Sequence, residues 1–283
     1  MAGSIARRLN ALGAETVCFS RQEGEGLRPL SDLCDSRKLA TFDAVLHLAW
    51  SSVPLTSEQD PGCELRSDIP LLRGMLDAMG QCPVSPQIVF FSSASVYGNC
   101  VSPAAEDSPL CPLGNYARAK LLAEEVIWEA AQTHPALRFA VLRVSNVFGL
   151  PDHSSRPQGV VARLCGAVRD GTALTVWGDG HATKDYLFFD DLLSALALAF
   201  KHRLHGTFNV ASERSVSLRE IIALAGNEAG RDLEVRETPH FPWDVERTAI
   251  SAGKFRLATG WCARTDALEA IRELIKTELA QCR

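Results

Sequence analysis

The sequence is poor in everything that marks a membrane, metal-cluster or nucleic-acid protein. Its longest apolar run, LLSALALAF at 192–200, is about half of what a membrane span needs. None of its nine cysteines forms a CxxC pair or stands at zinc-site spacing with histidine. An odd number in 283 residues fits reduced, mostly buried thiols better than a disulfide framework. The formal net charge is only −5, so no basic face is available for nucleic-acid phosphates or an anionic membrane, although one local anion site remains compatible with it. Internal repeats and low-complexity segments are missing as well. These absences leave a folded, cytoplasmic protein with no nucleic-acid or membrane partner and no metal. With 46% apolar and 22% charged residues, the chain has ample core for one large domain or two modest ones.

One further absence lies at the start. MAGSIARRLNALG reads as a helix, with Ile5, Leu9 and Leu12 near helical spacing and Gly13 ending it, yet no strand precedes it for that helix to pack against. Because Gly13 and a strand pattern follow, this acid-free stretch suits a folded domain better than a transit peptide.

Beyond Gly13, strands and helices alternate. ETVCFS, FDAVLHLAW and QIVFFSS read as strands, and the 64–80 segment reads as a helix that Pro70 either kinks or opens. A polar loop with Pro103, Pro109 and Pro112 leads to the helix NYARAKLLAEEVIWEAAQ, and RFAVLRVSNVFG returns as a strand. The alternation predicts an α/β fold, a doubly wound parallel sheet with right-handed crossovers. After Gly149 the pattern loosens over 149–159. A helix, the short strands LTVWGDG and KDYLFFDD, and a closing amphipathic helix at 266–280 then predict a smaller, partly interleaved C-terminal lobe. The expected division is a dinucleotide-binding part over 1–150, rejoined by about 190–211, and a substrate lobe over 151–283, with the cleft between them.

The chemistry centres on NYARAK. Tyr116 and Lys120 stand at i and i+4, on one helical face, where an ammonium lowers a phenol's pKa and lets it exchange protons with a substrate hydroxyl. Alone, this is equally an exposed helical pair. The buried strand ending in Ser92-Ser93 adds hydroxyls at the carboxyl edge of the sheet, where ligands of doubly wound folds sit. Without the tyrosine, those serines read as caps for their own backbone.

Together FDAVLHLAW, FFSSASVYG, YARAK, LRVSNVFG, LTVWGDG, TKDYLFFDDL and GTFNVAS, in this order, resemble the extended short-chain dehydrogenase/reductase family. Within it they resemble the NAD-dependent epimerase/dehydratase group typified by UDP-glucose 4-epimerase. The resemblance covers nearly the whole chain. It implies a Rossmann-like fold, a homodimer through the Tyr116 helix, NAD or NADP as cofactor and a nucleotide sugar, a UDP-sugar, as substrate. It assigns Tyr116 as catalytic acid/base, Ser93 as hydrogen-bond partner of the reacting hydroxyl, and Lys120 as holder of the nicotinamide ribose. Asn146, Lys184 and Asp244 are assigned to the sugar and diphosphate, and Val176 and Trp177 to the base. Trp177 is equally a core aromatic. Two positions depart from the family: Lys184 stands where Arg is usual, giving a point charge instead of a fork, and Phe241 stands where a further Arg is usual, leaving Arg247 as the candidate anion ligand.

The reaction implied is C4 epimerisation through a transient 4-ketone, because sugar dehydratases and decarboxylases of the group carry an acid at the position of Ser95. A 4-reductase or dehydratase is the alternative, and a catalytically impaired binding protein is another. Thr248 stands where bulky aromatics in some relatives crowd the sugar 2-substituent, so an N-acetylated sugar is expected to fit. On the cofactor side the resemblance assigns Gly3 and Ser4 to the pyrophosphate turn, Ser20 and Arg21 to the adenosine ribose, Asp32 and Leu33 to the adenine, and Leu48, Ala49, Trp50 and Ser92 to the remaining wall. Arg21 in place of an acid tilts the expectation toward NADP, or is a surface arginine. Gly3 matches only the third glycine of the dinucleotide motif. The expectation is therefore either a natural start upstream or a shortened copy with an impaired cofactor site.

Overall fold

The computed structural model describes residues 2–100, 102–150 and 159–281, so most of the loosened stretch 149–159 lies outside the described residues. In chain order the elements are α1 (Ala2–Ala11), β1 (Cys18–Ser20), β2 (Leu27–Pro29), α2 (Ser36–Leu39), β3 (Ala44–His47), α3 (Pro54–Gln59) and α4 (Cys63–Gly80). They continue with β4 (Gln87–Ser93), α5 (Asn115–Thr133), β5 (Phe139–Val144), β6 (Asn146–Phe148), α6 (Val160–Asp170), β7 (Leu174–Trp177), β8 (Thr183–Phe188) and α7 (Phe189–Lys201). The chain closes with β9 (Gly206–Val210), β10 (Ser215–Ser217), α8 (Leu218–Ala229), β11 (Val235–Thr238), α9 (Gly253–Thr259) and α10 (Ala267–Gln281).

The main sheet runs β3-β4-β5-β9, all parallel. Its central strand β4 is apolar from Ile88 to Phe91 because both its faces are covered. Ile88 and Phe90 point to a core shared with α4 and α5, while Val89 and Phe91 point to one shared with α1 and α7. This is the doubly wound arrangement. Helix α1 packs through Ile5, which is buried, against the α7 side. Pro70 lies inside α4 rather than in its first turn.

Strand β1 is shorter than ETVCFS predicts. It pairs in parallel with β2 in a two-stranded sheet that, among the described residues, has no ladder to the main sheet. Strand β3 accordingly pairs on one side only, with β4.

RFAVLRVSNVFG divides at Ser145. Up to Val144 it belongs to the main sheet, and from Asn146 it pairs with β8 in a second sheet, β10-β8-β6. Ser145 N donates to Val210 O at 3.1 Å, which anchors the crossing point. The second lobe closes over a core of α6, α8 and α10. This sheet change brings Asn146 to the carboxyl edge of the main sheet, against residues of the second lobe.

Candidate active site

Strand β4 delivers two hydroxyls that leave the chain on opposite sides, as successive strand residues must. Ser92 Oγ donates to the buried carboxylate of Glu124, inside the protein. Ser93 Oγ lines a cavity of about 120 Å³ and accepts from Ser95 N at 3.2 Å and Ser95 Oγ at 2.9 Å.

Helix α5 begins beside this cavity because Glu58 caps it. The Glu58 carboxylate accepts from Asn115 N at 2.6 Å and from Asn115 Nδ2 at 3.0 Å, satisfying a free donor of the first turn. Gly114 permits the approach, since a Cβ there would lie 3.0 Å from Glu58 Oε1 and 3.2 Å from Trp243 Cβ. Tyr116 follows immediately and lines the same cavity as Ser93.

Lys120 lies on the same face of α5 but turns beneath the sheet edge. Its ammonium donates to Phe91 O at 2.7 Å and sits 3.8 Å from the centre of the Trp50 ring, against 5.8 Å from the Tyr116 ring. Burial lowers its pKa to about 7, against the upward pull of Asp68, Glu124 and Glu64. Burial, with the negative charge of Glu64, pushes Tyr116 up to about 12. The resemblance implies that the lysine lowers the tyrosine. In this arrangement the ammonium is held by a carbonyl and an indole face instead.

A pH dependence follows. Lys120 titrates near 7 in the fold and near 10.5 unfolded, so between these values the unfolded chain binds the extra proton and stability rises with pH. Relative to a Lys120→Met variant, the wild-type chain is expected to gain stability between pH 7 and 9.5 in urea unfolding. A difference independent of pH would contradict the burial of a titrating ammonium.

Asn146, Lys184, Asp244 and Thr248 complete the cavity. Asn146 Nδ2 donates to Asp185 O at 3.0 Å, and the Lys184 ammonium pairs with Asp244 at 2.7 Å. Thr248 is buried in the wall. Trp177 and Arg247 line a second cavity, of about 560 Å³, with Asn99, Asp179, His181 and His240. Sequential neighbours join the two, since Asp244 and Val245 line the first, Glu246 and Arg247 the second. Trp177 is therefore not a core residue. Its ring carries the Arg163 guanidinium at 4.6 Å and Phe241 at 5.4 Å. Val176, by contrast, is buried in the core of the second lobe, so its side chain faces neither cavity.

On the cofactor side the assigned residues divide. Leu48 packs toward the α1/α7 core and Ala49 and Trp50 toward the α4/α5 core, so the chain leaving β3 straddles the carboxyl edge of the sheet. Trp50 Nε1 is buried without a partner among the described residues, a donor left over at this edge. Ser4 is buried, while a Cβ added to Gly3 would meet nothing within 4 Å, so close packing does not demand glycine there. Ser20 Oγ accepts from Gln22 N at 3.0 Å, Asp32 pairs with Lys38, and Leu33 is in the core. Arg21 is not a free surface arginine. Its guanidinium pairs with Asp68.

Sequence reasoning passed over Glu58, Trp243, Arg163 and Asp68. Glu58 reaches Asn115 across 57 positions and Asp68 reaches Arg21 across 47, so neither leaves a local signal. Trp243 lies next to the assigned Asp244 and stacks on Phe241 at 4.7 Å.

Among the described residues no helix is long and apolar enough to cross a membrane, and no group of His, Cys, Asp and Glu side chains could hold a metal ion. The chain is 28% identical over 239 residues to a UDP-glucose 4-epimerase of Lactobacillus helveticus, covering 78% of this chain and 72% of that one. It is 29% identical over 250 residues to a UDP-glucose 4-epimerase of Lacticaseibacillus casei, covering 82% and 75%. The solved structure of a Thermus thermophilus UDP-glucose 4-epimerase in complex with NAD superposes with a TM-score of 0.85 at 26% identity, over 98% of this chain and 94% of that one. The model of the NAD dependent epimerase/dehydratase family matches residues 2–211, and this chain belongs to that family.

Proposed function

We propose that this protein is an NAD-dependent UDP-sugar 4-epimerase. The observation that carries the reading is the convergence of Ser93, Tyr116, Asn146, Lys184, Asp244 and Thr248 on one cavity, with the hydroxyl of Ser95 where eliminating members of the group carry an acid. The relatives and the superposed enzyme are themselves UDP-glucose 4-epimerases, which supports this substrate class.

In this reading Tyr116 exchanges the proton of the sugar 4-hydroxyl, and Ser93 Oγ, held toward the cavity by Ser95, hydrogen-bonds the same oxygen. The Lys184 ammonium and Arg247 lie along the path from sugar to base and offer charge to the diphosphate, and Trp177 offers ring area to the base. At the carboxyl edge of the sheet the unpartnered Trp50 indole N–H and the buried Lys120 ammonium are donors suited to the nicotinamide end of a dinucleotide. NAD, when bound, supplies a reversible acceptor for the C4 hydride. Every other step is a proton or a hydrogen bond belonging to this chain.

The test is conversion of UDP-galactose to UDP-glucose by the purified protein with NAD, beside UDP-N-acetylgalactosamine, which the small Thr248 is expected to admit. Interconversion without net change in NADH is the expected result. Stoichiometric formation of NADH with a 4-keto sugar, or release of a 4-keto-6-deoxy sugar nucleotide, would overturn it in favour of a reductase running in reverse or a dehydratase.

A further inference from the structure

The end of β1 carries Arg21 where, in doubly wound folds, an acid selects the ribose 2′-hydroxyl and an arginine welcomes a 2′-phosphate. By residue type alone this arginine selects a phosphorylated cofactor. The structure gives its guanidinium a partner. Asp68, fully buried on α4, pairs with Arg21, whose side chain is 37% exposed. Asp68 does not depend on Arg21 for its position: Ser51 N donates to both carboxylate oxygens at 3.1 Å, and Ser51 Oγ donates to Oδ2. The carboxylate is thus fixed by the loop after β3, and the arginine comes to it.

We propose that Asp68 is a cofactor-specificity residue that, by holding and neutralising Arg21, turns the chain toward NAD and away from NADP. The inference rests on the proposed dinucleotide-dependent activity. A 2′-phosphate carries a charge of about −1.5 to −2. Brought to this corner it meets an arginine whose charge is already matched, and a fixed carboxylate behind it that repels the newcomer. A 2′-hydroxyl meets no such opposition. Removing only the charge of Asp68 frees the guanidinium for bidentate contact with phosphate. Asparagine retains an oxygen for the Ser51 donors, so the local fold keeps its anchor.

The test compares NADH and NADPH binding, read by nucleotide fluorescence on the full chain. The wild-type protein is expected to bind NADH the more tightly, and Asp68→Asn to shift the NADPH-to-NADH affinity ratio toward NADPH by about tenfold or more. In an Arg21→Gln/Asp68→Asn double variant that shift disappears. Arg21→Gln alone, which needs no change at the buried site, is expected to leave the wild-type ratio within about threefold. A wild-type preference for NADPH, an unchanged ratio in Asp68→Asn, or a shift that survives in the double variant overturns the role of Asp68 while leaving the dinucleotide reading intact. Binding of neither nucleotide to the folded wild-type protein overturns both.

Discussion

Replacing Tyr116 with phenylalanine is expected to lower the turnover of UDP-galactose by about 10³-fold, with KM and thermal stability nearly unchanged. The expectation combines two observations. Tyr116 lines the cavity with Ser93 and Asn146, where the hydroxyl that the substrate presents is to be received. Among the described residues its Oη makes no hydrogen bond to the protein, so its loss leaves no donor or acceptor stranded and costs the fold little. Steady-state kinetics beside a melting curve checks both halves. A fall in turnover accompanied by a large drop in melting temperature would mean that the phenol serves the fold, and a fall below tenfold would remove it from the chemistry. Ser93→Ala is the milder counterpart, because Ser95 Oγ lies 2.9 Å from Ser93 Oγ and can take over part of its hydrogen bonding.

The second large effect is on stability. Glu124 and Arg143 form a buried ion pair, with Arg143 Nη2 2.7 Å and Nε 3.1 Å from Glu124 Oε2. Arg143 Nη1 also donates to Tyr97 Oη at 2.9 Å and to Glu106 O at 3.1 Å, and Tyr97 Oη in turn donates to Asn209 Oδ1 at 2.7 Å. With Ser92 Oγ on Glu124, this network ties α5, β4, β5 and β9 together one residue before Ser93. Arg143→Met leaves Glu124 buried without its counter-charge and is expected to cost about 3–5 kcal/mol. For a chain of this size that is a loss of about 10 °C in melting temperature. Combining it with Glu124→Leu removes both charges and should recover a substantial part. A single variant that melts within about 2 °C of wild type would show that the network contributes little.

What could be read from the residues depended on how local the determinant was. QIVFFSS is β4 from end to end, because six consecutive buried positions leave no other arrangement for an apolar run between two helical layers. NYARAK and the Ser93 position were legible for the same reason, their geometry being set within one helix and one strand end. ETVCFS yields only β1, since Val17 remains 38% exposed and the ladder begins at Cys18. Strand alternation, invisible without the sheet's sidedness, turns the Val176 side chain inward and that of Trp177 outward, so the two residues assigned together differ in what their side chains can offer. The chemistry of Lys120 depends on Trp50 and on the Phe91 carbonyl, both brought to it by the sheet, so a helix-face reading could place the ammonium near the phenol but not say what holds it.

The return of the chain after the second lobe bears on autonomy. Phe255 and Trp261 lie beyond the sheet β10-β8-β6, yet both are buried in the core of the main sheet, where Phe255 meets Phe208 of β9 edge-on and Trp261 Nε1 donates to Ser194 Oγ of α7 at 2.8 Å. Lys254 adds a hydrogen bond to Thr207 O at 2.7 Å. The part of the chain that matches the family therefore ends at residue 211 without being a self-sufficient folding unit. Its hydrophobic interior is completed from some forty residues further on. The main sheet and the second lobe therefore share a core, so a substitution that loosens Phe255 reaches the same sheet that carries Ser93.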